Sequence, residues 1–326
     1  MSEYGLFLAK AVTVVIAILV VINGMVAASS RRTAKDKDHL DIRHLNRLYD
    51  NLRCTLQAAI LPKKEFKHVV KRLKKQHKAE QAEAKARKVF VLNFHGDIRA
   101  SAVSALREEI TAILMVGSAQ DEVIVRLESV GGLVHAYGLA ASQLARLRER
   151  KINLTVAVDK VAASGGYMMA CVADRIIAAP FAVVGSIGVV SQMPNFNRLL
   201  KKHDVDFELY TAGEFKRTLT MFGENTDKAR HKFQEELEDA HRLFKDFIKT
   251  YRPGLDLERV ATGEHWYGTQ ALELQLIDAL RTSDDYLLEV SQDAALFEVS
   301  YAGKKTFLHK LSAWMMAGFA RQAFDL

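Results

Sequence analysis

Four short β-branched or aromatic runs alternate with helix-patterned stretches, and this constrains the chain more than any other feature. The runs are residues 89–98 (VFVLNFHGDI), 122–127 (EVIVRL), 154–158 (LTVAV) and 175–178 (RIIA). Between them lie the helical patterns of residues 102–116 and 135–150 and a helix that starts near Ser164. Strands that alternate with helices pair in parallel through right-handed crossovers, so the expectation is an α/β domain built on a parallel sheet. Glycine-bearing turns follow three of the runs: Gly131-Gly132, Gly165-Gly166, and the stretch from Gly185 to Gly188. An open α/β sheet binds its ligand beyond the carboxyl ends of its strands, where these turns fall.

Ahead of that domain the chain changes character twice. Residues 6–28 (LFLAKAVTVVIAILVVINGMVAA) carry Lys10 as their single charge and are long enough to cross a bilayer core of about 30 Å as a helix. A cleaved signal peptide has a shorter apolar run, so this one reads as a retained anchor. Residues 31–88 hold 18 Lys/Arg against 7 Asp/Glu, a local +11 in a chain of net charge +7. That excess fits a helical segment facing solvent or lipid beside a span better than a nucleic-acid site, and no nucleic-acid partner is expected. Leu40, Leu45, Leu48, Leu52, Leu56 and Ile60 form one helical stripe ending at Pro62, and a second helix runs from Phe66 to about Lys88. The apolar stretch 161–190 is no second span, because Asp174, Arg175 and Pro180 break it. The expected organisation is an anchor at 1–30, a basic helical segment at 31–88, a catalytic domain at 89–285 and an extension at 286–326. Phe307, Leu308, Leu311, Trp314 and Met315 give that tail an amphipathic pattern.

Several chemistries drop out. Cys54 and Cys171 are the two cysteines, and neither C-x-x-C nor H-E-x-x-H occurs, so neither a disulfide framework nor a metal site is expected. Without G-x-x-x-x-G-K-[ST] there is no phosphate-binding loop, and any energy-dependent activity needs a partner. What remains is acyl transfer. Ser164 opens a helix after a strand, a place where a serine also serves as an N-cap. Beside it, Gly132 and Gly165 are candidate N–H donors to an oxyanion, since glycine lets the backbone approach a ligand closely. A serine nucleophile needs a base. His95 and His265 suit surface or packing roles, and Lys216 in GEFKRT is by itself an ordinary surface charge. As a base it has to shed its charge through burial, which costs several kcal/mol. This reading therefore predicts Lys216 in a dry pocket against a hydroxyl such as Ser186.

The patterns A-A-S-G-G-Y from Ala162 to Tyr167, G-S-I-G-V from Gly185 to Val189, and G-x-x-K from Gly213 to Lys216 together resemble the S49 peptidase family. Spacing agrees, with Lys216 lying 52 residues and Ser186 lying 22 residues after Ser164. Gly263, Trp266, Gly268, Ala271 and Asp278 extend the resemblance, which covers about 89–278. A single span and a basic helical segment ahead of one catalytic domain match the short, anchored branch of the family.

The resemblance implies a ClpP/crotonase-like fold and a Ser-Lys dyad of Ser164 as nucleophile and Lys216 as general base, with Ser186 orienting the lysine. It also implies an acyl-enzyme, no cofactor, and a homo-oligomer whose active sites are shared between protomers. Peptide substrates follow, and an apolar crevice near a membrane points to hydrophobic or signal-peptide-like ones. Where the family has Ser-Pro-Gly-Gly this chain has Ser129-Val130-Gly131-Gly132, which costs preorganisation because valine does not fix φ. The implied location is a bacterial inner membrane with the catalytic domain on the periplasmic side. Arg31, Arg32, Lys35 and Lys37 argue instead for the cytoplasmic side. A membrane scaffold that keeps the fold without strong catalysis is the competing reading. An acyl-CoA-processing enzyme is a third, and it gives Lys216 and Ser186 no role.

Overall fold

A computed structural model describes residues 39–82 and 87–302, together with Thr13. Apart from Thr13, the expected anchor at 6–28 lies outside the described residues, as does the tail at 305–326. Among the described residues no helix is long and apolar enough to cross a membrane. The chain divides into two compact units, residues 42–300 and the terminal segments 1–41 and 301–326. The larger unit carries the core and every candidate site residue.

In chain order the first half runs β1 (His39–His44), α1 (Leu45–Ile60), α2 (Lys63–Ala82), β2 (Lys88–Gly96), α3 (Val103–Val116), β3 (Glu122–Ser129), α4 (Val134–Glu149), β4 (Asn153–Val158), β5 (Val161–Ala163) and α5 (Gly165–Ala170). The second half runs β6 (Arg175–Ala178), β7 (Val183–Gly185), α6 (Asn197–Lys202), α7 (Asp227–Tyr251), α8 (Leu257–Val260), β8 (His265–Tyr267), α9 (Gly268–Glu273), β9 (Ala279–Leu280), α10 (Ser283–Val290) and β10 (Ala295–Ala302). The central sheet is parallel in the order β10-β2-β3-β4-β6-β9. Val89, Val91, Val123, Ile124, Leu154, Val156, Ile176 and Ile177 are buried throughout, as expected of strands covered on both faces.

The four strands expected from the apolar runs are present. Three differences stand out. His39–His44 is extended, so the stripe expected to begin there becomes helical only at Leu45. Leu45 is 5% exposed within a cluster that includes Val89, Leu287 and Leu296, and the Asn46 amide donates to the Ser291 and Ala294 carbonyls. The start of α1, which lies inside the expected basic segment, thus belongs to the domain core. The boundary expected at 285 falls inside α10, and β10 continues the sheet by pairing with β2, so the compact unit extends to Ser300. Finally, a short strand, β5, precedes Ser164. It pairs with β3 at Ser129↔Ala162 and with β7 at Ala163↔Gly185, while β7 pairs antiparallel with β8. This short strand group branches off the main sheet at the C-terminal end of β3.

Asp121 joins the starts of β2 and β3. It is 3% exposed, and its carboxylate accepts from the Lys88 N–H at 2.9 Å, the Ser118 N–H at 2.8 Å and the Ser118 hydroxyl at 2.9 Å. Burial raises its pKa, but these donors prevail and hold it below the ordinary carboxylate value. A carboxyl depressed in this way stabilises the fold above its unfolded pKa of about 3.9, and that contribution is lost as pH falls through the lower folded value. Asp121→Ala is expected to cost about 1–3 kcal/mol at pH 7, because the part-buried Lys88 and Ser118 N–H groups lose their acceptor. Urea midpoints for wild type and variant should converge on acidification below the folded pKa; equal midpoints at pH 7 would show the group to be idle.

Candidate active site

Three glycine turns meet where β3, β5 and β7 end. The Ser164 N–H donates to the Gly185 carbonyl at 2.8 Å, continuing the β5–β7 pairing by one bond into the turn. The next residue begins α5, whose Met168 N–H returns to the Ser164 carbonyl at 2.9 Å. Between extended strand and helix, Ser164 takes φ 52° and ψ −119°, a conformation that costs a non-glycine residue about 1–3 kcal/mol. Its hydroxyl makes no cap bond to the helix, so the N-cap role open to it in sequence is not what the side chain does. Ser164 is half-buried, and it lines a narrow pocket with Gly132, Val134, Met168, Val189 and Phe244 of α7.

Both candidate donor glycines line the same pocket as this serine. Gly165 opens α5, where a first-turn N–H has no carbonyl partner within its own helix. Gly131 has φ +88°, and a Cβ there would lie 2.7 Å from the Gly165 nitrogen and 2.8 Å from the Ser164 Cβ. A Cβ on Gly132 would lie 2.1 Å from the Ile98 carbonyl oxygen, the atom that accepts from the Leu133 N–H at 2.9 Å. No hydrogen bond among the described residues uses the Gly132 N–H.

A buried hydroxyl chain underlies the turn, and sequence reasoning did not find it. The Gly131 N–H donates to Ser129 Oγ at 3.0 Å, Ser129 Oγ lies 2.6 Å from the Tyr137 hydroxyl, and that hydroxyl donates to the Asp97 carbonyl at 2.7 Å. With Tyr137 donating to Asp97, the Ser129 hydroxyl donates to Tyr137. Burial pushes the Tyr137 phenol up, so it remains an O–H donor. Asp97 is fixed in turn by the Ser101 N–H and hydroxyl, both at 2.8 Å, which hold its carboxyl below the usual range. The one available signal was Ser129 preceding the glycine pair with a tyrosine eight residues on, inside the next helix.

Ser186 follows Gly185 directly, takes φ 51°, and donates its N–H to the Glu264 carbonyl at 2.7 Å. Gly185 itself has φ +101°, and the Trp266 ring lies 2.8 Å from where a Cβ would be. The close approach of that ring requires a glycine at 185. Lys216 is different. It is exposed in a loop after Gly213, and among the described residues no hydrogen bond links it to Ser164 or Ser186. The expected dry pocket around the lysine is therefore not formed within one chain. Neither histidine takes its place: His95 is solvent-facing, 3.7 Å from Glu128, and His265 is exposed beside Tyr267. Cys171 is fully buried, and its thiol is pushed up by burial. Among the described residues no cluster of His, Cys, Asp or Glu has the makings of a metal site.

Comparison with known proteins places this arrangement. Residues 146–296 match peptidase family S49, and residues 1–144 match the N-terminal region of family S49. The chain belongs to the S49 peptidase family and is a peptidase by that membership. It is similar to the probable protease SohB of Haemophilus influenzae, at 49% identity over 99% of this chain and 93% of that one. A SohB relative in Buchnera aphidicola from Acyrthosiphon pisum is 59% identical over 70% of this chain and 68% of its own. Within the family the resemblance thus falls to the SohB branch. A solved membrane-bound stomatin-specific protease is 16% identical, covering 63% of this chain and 84% of its own with a TM-score of 0.35.

Gly131→Ala is expected to abolish labelling by a fluorophosphonate probe and to cost at least about 1–3 kcal/mol in stability, because it adds both strain and a backbone clash. Gly138→Ala, on α4 with nothing within 4 Å of the new Cβ, is the control and should keep labelling. Equal labelling in both variants would show that the turn's close approach to Ser164 is irrelevant.

Proposed function

We propose that the chain is a serine endopeptidase working through a Ser-Lys dyad. Ser164 Oγ attacks the scissile carbonyl, and Lys216 takes its proton and passes it to the leaving amine. Water then hydrolyses the acyl-enzyme. Ser186 orients the neutral lysine amine, and the N–H groups of Gly132 and Gly165 stabilise the oxyanion. No cofactor takes part. The observation that carries this reading is the strained Ser164, held at positive φ between two glycine turns with its hydroxyl unspent on the helix. Strain of this kind gathers where a side chain has to be aimed. The scheme and the branched strand group fit a ClpP/crotonase-like domain.

The exposed Lys216 favours a site completed by a second copy of the chain. Its own loop exposes Phe207, Leu209, Tyr210 and Phe215, an apolar surface that a neighbouring protomer would cover. Burial of that loop would supply the desolvation a lysine base needs. Val134, Met168, Val189 and Phe244 give the pocket beside Ser164 an apolar lining suited to hydrophobic or signal-peptide-like chains. Residues 6–28 would tether the enzyme to the plasma membrane, the source of such peptides.

Fluorophosphonate labelling of the full chain in detergent or nanodiscs tests the dyad. Ser164→Ala and Lys216→Ala should each lose labelling, a fall of at least about 10³-fold. Mixing the two variants should restore part of it if one protomer's lysine serves another's serine. Retained labelling in Lys216→Ala would remove the dyad, and no labelling of the wild type in any assembly state would favour a scaffold.

A further inference from the structure

The Ser-Lys reading leaves the second wall of the oxyanion site without an anchor, because Val130 stands where a proline would fix the turn. Val130 is exposed and makes no evident contribution to holding Gly131 and Gly132. The hydroxyl chain beneath the turn does hold them. Its two hydroxyl-bearing members are internal: Ser129 is 2% exposed and Tyr137 0%. Ser129 Oγ holds the Gly131 N–H at 3.0 Å and so fixes the peptide that leads into Gly131, while Gly132 lines the pocket with its N–H unpaired among the described residues.

Tyr137 also reaches the other donor. A Cβ on Gly165 would lie 2.4 Å from Tyr137 Cγ and 2.8 Å from Tyr137 Cβ, so the side chain lies directly against the start of α5. One side chain therefore touches both turns, its ring at Gly165 and its hydroxyl, through Ser129, at Gly131. The two donors come from different strands, β3 and β5, which share a single register pair, Ser129↔Ala162. That lone pair is a weak constraint on two N–H vectors that have to converge.

We propose that Tyr137 is a positioning residue for the oxyanion hole, setting the separation and direction of the Gly132 and Gly165 N–H groups through its ring and through the Tyr137–Ser129–Gly131 chain. It touches no substrate. Its Asp97 carbonyl acceptor ties the assembly to the turn after β2, so the turns after three strands move as one body. Misplacing a donor by a fraction of an ångström costs rate and not ground-state binding, because the oxyanion exists only beyond the ground state.

This inference rests on the Ser-Lys reading, and the experiment separates the two. Wild type, Tyr137→Phe, Ser129→Ala and the double variant are assayed as full chains on a fluorogenic hydrophobic peptide, with a peptide boronate as transition-state mimic. Tyr137→Phe keeps the ring and loses the hydroxyl. Ser129→Ala keeps the Tyr137 bond to Asp97 and breaks the Ser129 link between Tyr137 and the Gly131 N–H, so it stands in if the phenylalanine variant folds poorly. The expected result is a drop in kcat on the order of 10- to 100-fold in each single variant, KM within about twofold, and matching loss of boronate affinity. The double variant should fall no further than the worse single one, since both changes break one chain.

Unchanged kcat in both folded single variants, beside a Ser164-dependent wild type, overturns the positioning role and leaves the dyad standing. Equal losses in kcat and melting temperature, recovered together at lower temperature, overturn it as well by showing a structural role only. A wild type without Ser164-dependent hydrolysis overturns the dyad and this inference with it.

Discussion

The site depends on the insertion of β5 between β3 and β7. Two register pairs, Ser129↔Ala162 and Ala163↔Gly185, bring the turn after β3 and the turn after β7 to opposite sides of Ser164. Parallel strands put like ends together, so three loops that follow strands in sequence become neighbours in space. A pairing in which β5 continued β4 along the main sheet would carry Ser164 away from Gly131. The branch exists because β3 outruns its other neighbour. Its residues 122–126 pair with β4, and beyond them its last residue, Ser129, pairs with β5.

Holding Ser164 at positive φ runs against local preference, so the surroundings have to over-determine it. The α5 helix does much of this, with Gly165, Gly166, Tyr167, Met168, Met169 and Ala170 all buried. Tyr167 sends its hydroxyl to the Leu276 carbonyl at 3.0 Å, which locks the helix to the stretch before β9. Asp278 adds to the same lock, accepting from the Ile176 N–H at 2.7 Å and from Arg252 at 2.9 Å. Gly268 allows α9 to approach, since a Cβ there would lie 2.1 Å from the Ala179 carbonyl oxygen. The residues of the late motif thus act on the site at a distance, by fixing the elements on which the strained serine is mounted.

Much of this was legible in the sequence, for identifiable reasons. The β-branched runs at 89–98, 122–127, 154–158 and 175–178 have no competing helical period, and each became a strand. The glycine turns were legible because each glycine answers a hard geometric demand, a positive φ or a close contact with a neighbouring backbone or side chain. What escaped was set by tertiary contact. Three-residue strands such as β5 and β8 carry no periodicity, and their pairing partners are distant in the chain. The helical stripe gave no sign that His39–His44 is extended. The long helix α7, which supplies Phe244 to the pocket, drew no attention because its polar face dominates its composition. The Ser129–Tyr137–Asp97 chain joins three elements through one buried ring, and no spacing rule encodes it.

Lys216 marks where reading one chain stops being enough. Its flanking sequence looked like a surface turn, and in the single chain it is one, with Gly213 at φ +94° and the lysine exposed. Every other group assigned to the chemistry sits on α5 or in a turn that directly follows a strand of the sheet. Under the proposed mechanism the nucleophile and oxyanion donors are therefore preorganised within the fold, while the base is carried on a loop whose apolar side chains face solvent. Such a division places the cost of desolvating the lysine on assembly and not on folding. A lone chain would keep its lysine in solvent, with no bond to the serine it has to serve. Proteolysis would then be coupled to the association of copies, a physical safeguard for a peptidase whose serine and donors are otherwise ready as soon as the chain folds.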